Sequence, residues 1–341
     1  MSGDIDDFRG LLAKVGNGAS LSIDEAERAF DIMTSGNATP AQVGAFLMGL
    51  KVRGETADEL AGGARVLRAK VQRVRAPEGA IDIVGTGGDH HGTYNVSSCS
   101  ALVVAGAGVP VAKHGNRAFT SKSGAADVLA ALGIGLELPI ETLEKALVEA
   151  KVCFLMAPRH HSAMRNVAGP RVELAPSRTI FNLLGPMSNP ALVKRQLVGV
   201  FDRRWLMPVA LALGRLGLER ALVVHGQDGM DELTTTTKSW AASLDQGNVT
   251  EIEIAPEDAG VRRARIEELK GGEPGHNAAA IMHVLSGEKS AFRDIVVLNS
   301  GAALMVAGKA NDLMEGAALA ALSIDSGKAL AALTTLKRVC A

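Results

Sequence analysis

The stretch IDIVGTGGDHHGTYNVSS, residues 81–98, decides how the chain is to be read. Residues 81–84 are a short apolar run of the length of a buried strand. Gly85, Gly87 and Gly88 then permit backbone angles and close approaches that a side chain would forbid, so successive N–H groups can face an anion. Asn95 and the serines after it can open the next helix, whose amino end favours phosphate. Neither GK[ST] nor GxGxxG spacing is present, which excludes a P-loop and a dinucleotide fingerprint.

Outward from this strand, turn and helix the same grammar repeats. Apolar runs at 109–112, 152–156, 197–201 and 221–224 have the length of buried strands, and 125–132 and 140–150 read as helices between them. Such alternation predicts an α/β lobe with a mostly parallel central sheet and ligands at the carboxyl ends of its strands. SWAASLDQGNVTEIEI, 239–254, predicts a hairpin around Gln246, Gly247 and Asn248. The C-terminal region, rich in Ala, Leu and Gly, reads as helices closing around one strand at 295–298.

Upstream, the chain reads as helices only. Ser22 with Glu25, Thr39 with Gln42 and Thr56 with Glu59 each fit the S/T-x-x-E/Q capping box, and Pro40 suits a first helical position. Val43, Phe46, Leu47 and Leu50 recur at helical spacing and predict one buried stripe. The expected organisation is a small helical lobe, 1–75, joined by a segment near 172–195, and a large α/β lobe, 76–341.

Composition narrows the function. In 341 residues, 36 basic and 37 acidic side chains leave a formal charge of −1, so no whole-molecule field gathers nucleic acid or an anionic membrane, and any anion site is local. Eight Phe, two Trp and one Tyr leave few rings on which bases could stack. Cys99, Cys153 and Cys340 lack CxxC spacing, the N-terminus MSGDIDDFRG is acidic with no apolar h-region, and no uncharged run is long enough to span a bilayer. A cytoplasmic protein is expected.

The local anion site has a second component, KHGNRAFTSKSG, 113–124. Lys113, His114, Arg117 and Lys122 concentrate positive charge within ten residues, and Asn116, Ser121 and Ser123 add hydrogen-bonding groups, which fits a polyanionic ligand. The doublets His90-His91 and His160-His161 lack matching Cys or carboxylate spacing, so no zinc site is expected.

With RVELAPSRTIFNLLGPMSNP, 171–190, and GMDEL, 229–233, these segments resemble anthranilate phosphoribosyltransferases in order and spacing over nearly the whole chain. The resemblance implies transfer of the phosphoribosyl group of 5-phosphoribosyl 1-pyrophosphate to the amine of anthranilate, the second step of tryptophan biosynthesis from chorismate. It also implies Mg2+ and a homodimer formed through the helical lobe. Carried over residue by residue, it assigns Gly85, Gly88, Asp89, Thr93, Asn95, Val96, Ser97 and Ser98 to the phosphoribosyl pyrophosphate site. Lys113, His114, Gly115, Asn116, Arg117, Ala118, Phe119, Thr120, Ser121 and Ala125 line its other side. Gly85, Asn116 and Arg171 contact anthranilate, and Ser97, Asp231 and Glu232 serve the metal.

Arg171 suits its role because a planar guanidinium can hold a carboxylate in two hydrogen bonds. Magnesium takes oxygen ligands and bridges carboxylates to substrate phosphates, so two adjacent acids suffice. Arg178 is read as an ordering contact, and His114 as packing or hydrogen bonding beside the aromatic substrate. Leaving-group stabilisation is the main chemical demand, and no general base is assigned. His90, Ser162, Gly169 and Ala175 depart from the usual family pattern of Gly, Pro, Pro and Gly. A pyrimidine nucleoside phosphorylase, with a related architecture and Gly-rich loop, is the nearest alternative. Arg171 with its following segment, and the Asp231-Glu232 pair, favour the first reading.

Overall fold

Each predicted capping box opens a helix. In the computed structural model, which describes residues 2–89, 91–117 and 122–341, the N-terminal helices are α1 (Ser2–Gly16), α2 (Ile23–Thr34), α3 (Pro40–Arg53) and α4 (Ala57–Lys70). Ser22, Thr39 and Thr56 accept from the backbone N–H groups of Glu25, Gln42 and Glu59, whose side chains return the bond. Helix α3 buries the predicted Val43, Phe46, Leu47 and Leu50. Glu59 does more than cap: fully buried, it also accepts from Leu21 N–H at 2.9 Å and pairs with the Arg53 guanidinium. Thr56→Ala is expected to cost about 1 kcal/mol. Urea denaturation measures this, and an unchanged midpoint would show that the hydroxyl contributes nothing.

Among the described residues seven strands form one sheet: β1 (Ile81–Gly85), β2 (Val111–Gly115), β3 (Val152–Met156), β4 (Arg195–Gly199), β5 (Arg220–Gly226), β6 (Ser239–Asp245) and β7 (Asn248–Ile254). Their order is β3-β2-β1-β4-β5-β6-β7, with β1 to β5 parallel and β6 and β7 antiparallel. The hairpin turns on Gln246 and Gly247, both at positive φ (46° and 88°), the geometry that matches the twist of its strands.

The parallel strands lack polar alternation because the sheet is covered on both faces. Ile83, Leu197 and Leu222 join a core with α5 (Val96–Gly106) and the C-terminal helices. Their neighbours Val84, Val198 and Val223 point the other way, into a core shared with α2, α3, α4 and the helix Phe181–Met187. Phe30 is the joint, lying edge-on to Phe46 at 6.2 Å and to Phe181 at 5.5 Å.

Residues 295–298 are not a strand. They lie inside the helix Ala291–Val306, capped by Ser290 and buried along nearly its whole length. Burial on every side removes the polar face that gives a helix its period, so the run IVVL reads as strand from sequence. Gly301 and Gly316 let this helix press against Leu313–Asp325: a Cβ on Gly316 would lie 2.3 Å from the Gly301 carbonyl oxygen.

Candidate active site

Between β1 and β4 the strand order reverses, running outward to β2 and β3 on one side and to β5 on the other. The crevice beyond the carboxyl ends at such a switch is where open α/β sheets bind ligands. Gly85 and Gly199 end these two strands as register partners. A Cβ on Gly85 would lie 2.6 Å from Asp231 Oδ2, and one on Gly199 only 1.5 Å from the Asp231 carbonyl oxygen. Both positions are glycine because the loop after β5 crosses directly over them. Asp231 Oδ2 in turn accepts the Gly87 N–H at 2.7 Å, with Gly87 and Gly88 at positive φ (68° and 79°). The predicted glycine turn and the predicted acid pair, far apart in sequence, thus meet.

Electrostatics there are dominated by partly buried acids. Burial, with the neighbouring Asp89 charge, pushes the Asp231 carboxyl up to about 7. Burial and the Asp231 charge push Glu232 up to about 8, against the pull of Lys113. Two partly buried carboxyls short of positive charge, both oxygen donors, fit Mg2+ completed by phosphate oxygens and water. No group of three or more His, Cys, Asp or Glu suited to hold a metal occurs among the described residues.

A pH dependence follows. Both folded values exceed ordinary unfolded ones, so the folded chain holds protons that the unfolded chain has lost, and stability falls as pH rises from about 4 to about 8. Thermal melts of chelated protein should show this decline, with Glu232→Gln making it shallower. An identical slope in that variant would rule Glu232 out as its source.

Lys113 and His114 belong to β2 rather than to a loop. The expected strand 109–112 stops short of them, but pairing with β3 runs from Val111 with Val152 to Gly115 with Met156. Both side chains are buried, at 3% exposure, and alternation sends them to opposite faces. Lys113 Nζ donates to the Ile83 carbonyl at 2.8 Å and to Ser97 Oγ at 3.1 Å. Burial pulls its ammonium down, while Asp82, Glu232 and Asp231 hold it up. On the other face, His114 Nδ1 donates to the Gly185 carbonyl at 3.2 Å, and its ring lies 5.2 Å from that of His161. Burial first, then His161, keeps His114 neutral, which leaves Nε2 as an acceptor.

The remaining predicted residues are spread around this centre. Asp89 accepts the His91 N–H, and Thr93 forms a bridge with Lys270. Asn95 is the N-cap residue of α5 but makes no cap bond: its amide donates to the Ser123 carbonyl and its oxygen accepts from Asn277, tying the start of α5 to the loop at Ser123 and to the helix Pro274–Leu285. Val96 and Ser98 are buried in the first turn of α5. Gly115 must lack a side chain because Phe154 would lie 2.8 Å away. Asn116 caps its own loop by accepting from Arg117 N–H, Arg117 pairs with Asp127, and Ala125 opens the helix Ala125–Ala131. His90, Ala118, Phe119, Thr120 and Ser121 lie outside the described residues.

Arg171 sits on the helix Arg165–Glu173, packed over the Phe181 ring at 5.1 Å. Arg178 stacks on Phe201 at 4.1 Å and donates to the Gly88 carbonyl. Ser162 opens a short 3-10 turn, Gly169 lies in the Arg171 helix with open space where a Cβ would be, and Ala175 precedes Pro176 in a cis peptide.

Sequence reasoning missed the support beneath the site. Asp82 is fully buried, accepting from His114 N–H at 3.1 Å and from Asn189 Nδ2 at 2.7 Å. Burial pushes it up to about 6, and the Lys113 charge opposes that. An acid inside an apolar strand was the available signal. Gly199 and Asn299 carried none, since their partners are distant in sequence.

Residues 9–71 match the helical bundle domain of a glycosyl transferase family and residues 77–330 match its a/b domain, the class that this fold and anion site define. Anthranilate phosphoribosyltransferase of Rhodopseudomonas palustris is 56% identical over 330 residues, covering 97% of each chain. Among solved structures, that of Thermus thermophilus anthranilate phosphoribosyltransferase is 42% identical with a TM-score of 0.92, over 97% of this chain and 99% of that one. The Saccharomyces cerevisiae enzyme in complex with PRPP and Mg is 26% identical with a TM-score of 0.88, over 98% and 97%. This chain belongs to the anthranilate phosphoribosyltransferase family. Among the described residues no single helix is long and apolar enough to cross a membrane.

Proposed function

We propose that this chain transfers the phosphoribosyl group of 5-phosphoribosyl 1-pyrophosphate to the amine of anthranilate, giving N-(5-phosphoribosyl)anthranilate and pyrophosphate, in tryptophan biosynthesis. The observation that carries this reading is the group of buried Lys113 and partly buried Asp231 and Glu232 at the β1/β4 switch, in a chain 56% identical to a named anthranilate phosphoribosyltransferase.

In the reaction the bond from C1 of ribose to pyrophosphate oxygen breaks, a bond from C1 to nitrogen forms, and the amine gives up one proton. Asp231 and Glu232, with Ser97 beside them, would hold Mg2+. When bound it supplies Lewis-acid charge to the departing pyrophosphate. Lys113 adds fixed positive charge, and the glycine turn and the amino end of α5 offer N–H groups to phosphate. His114, neutral, lines the aromatic side with Asn116. Arg171 takes the anthranilate carboxylate and so orients the amine, which is already neutral at pH 7.

The free, buried cysteines favour a cytoplasmic setting. A homodimer through the helical lobe, taken as 1–75 with the segment near 172–195, completes the reading, with 76–341 as the catalytic lobe.

Loss of anthranilate fluorescence on adding 5-phosphoribosyl 1-pyrophosphate and Mg2+, abolished by chelator, tests the reaction. Phosphate-dependent cleavage of thymidine without that loss would overturn it. Arg171→Ala is expected to raise the KM for anthranilate by about 10- to 100-fold, the worth of a charged bidentate pair, with little change in that for the sugar diphosphate. Equal changes in both would remove Arg171 from the anthranilate half.

A further inference from the structure

We propose that Asn299 is a positioning residue that fixes the Asp231-Glu232 loop for the metal, an inference that rests on reading those acids as its ligands. Asn299 lies in the helix Ala291–Val306 and is fully buried. Its Oδ1 accepts the Leu233 N–H at 3.0 Å, and its Nδ2 donates to the Leu233 carbonyl at 2.8 Å and to the Ile295 carbonyl at 2.9 Å. One amide therefore holds both main-chain groups of Leu233, the residue directly after Glu232, as an antiparallel strand partner would. On the other side the Gly87 N–H holds Asp231 at 2.7 Å, so Glu232 is fixed between two pins. Downstream, Thr234 N–H donates to Ser239 Oγ at 3.0 Å and the Thr234 hydroxyl to Asp228 at 2.7 Å.

The loop needs these pins because adjacent carboxylates repel each other, and an unrestrained chain would relieve the repulsion by turning them apart. A rigid, buried helix is a suitable anchor, since partners behind the ligands govern the affinity of a metal site. With the Leu233 main chain free, the acids would have to be gathered again on each binding event.

The test uses the full chain with Mn2+ as probe and pyrophosphate present, free Mn2+ being read from its electron paramagnetic resonance signal. Asn299→Ser is expected to weaken Mn2+ binding by about tenfold or more while leaving the KM for anthranilate within about twofold. Val296→Ala, a buried truncation in the same helix, is expected to lower Tm without weakening Mn2+ binding. Should Asn299→Ser not fold, Asn299→Gln, whose amide is displaced by one methylene, is expected to weaken Mn2+ in the same sense. Mn2+ affinity unchanged in the folded Asn299 variant, or weakened equally by Val296→Ala, overturns the positioning role. Glu232→Gln separates the two claims: if it leaves Mn2+ binding intact, the reading of the acids as ligands fails instead.

Discussion

Lys113→Ala is expected to lower kcat/KM for 5-phosphoribosyl 1-pyrophosphate by about a thousandfold and to destabilise the fold by about 3–5 kcal/mol. The two losses have one origin. Lys113 is 3% exposed, and its ammonium is the cation that faces Asp82, Glu232 and Asp231 together. Removing it leaves buried Asp82 and partly buried Asp231 and Glu232 without it, so they must take up protons or loosen the strand ends. Asp82, already pushed up to about 6 by burial, has the least room to escape. The Ile83 carbonyl and Ser97 hydroxyl lose their donor at the same time. Steady-state rates from anthranilate fluorescence give the first number and urea denaturation the second. A variant within about tenfold of the parent in kcat/KM would show that Lys113 is chiefly structural. The KM for anthranilate should change far less, because His114, not Lys113, faces the other side of the sheet.

The other large effect is expected from one methyl group. In Gly199→Ala the new carbon would lie 1.5 Å from the Asp231 carbonyl oxygen, a main-chain atom that cannot swing aside as a side chain would. The loop must lift from the sheet or the strand must bend, at a cost of about 3 kcal/mol or more. A shift of about 1 Å in reacting geometry can lower a rate about a hundredfold, so activity at fixed Mg2+ should fall at least that far. Gly85→Ala should be milder, because what it meets is the far end of the Asp231 side chain, at 2.6 Å. Gly169→Ala, with nothing within 4 Å, is the control expected to be silent. Thermal melts and rate assays on the three variants give the ranking. Near-parental activity in Gly199→Ala would mean that the acid loop tolerates displacement.

These two positions also show where sequence reading reached its limit. The sequence assigns Lys113 to a basic loop that follows a strand, whereas it lies within β2. Strand pairing with β3, set by residues some forty positions away, draws it into the sheet and turns His114 to the opposite face. Arg117, in the same basic segment, pairs with Asp127. Gly199 looked like an ordinary residue within an apolar run. Only the crossing of the Asp231 main chain makes its missing side chain a requirement.

What the sequence by itself determined are features whose partners lie within a few residues. The three capping boxes and the Gln246-Gly247 turn are closed by local bonds and local backbone angles, and the glycine turn after β1 is marked by its own residue types, so residue types at fixed spacing suffice to find them. The local excess of basic residues at 113–122, in a chain of net charge −1, is legible for the same reason. Tertiary structure alone decided that 295–298 is a turn of buried helix, that Asp82 lies beneath Lys113, and that Asn299 holds the residue after Glu232. In each case the stabilising partner is far along the chain, and burial on all sides erases the periodicity by which a sequence announces its elements. The glycine turn at 85–88 could be seen from the start; the acid that it holds could be joined to it only once β1, β4 and the loop after β5 were folded together.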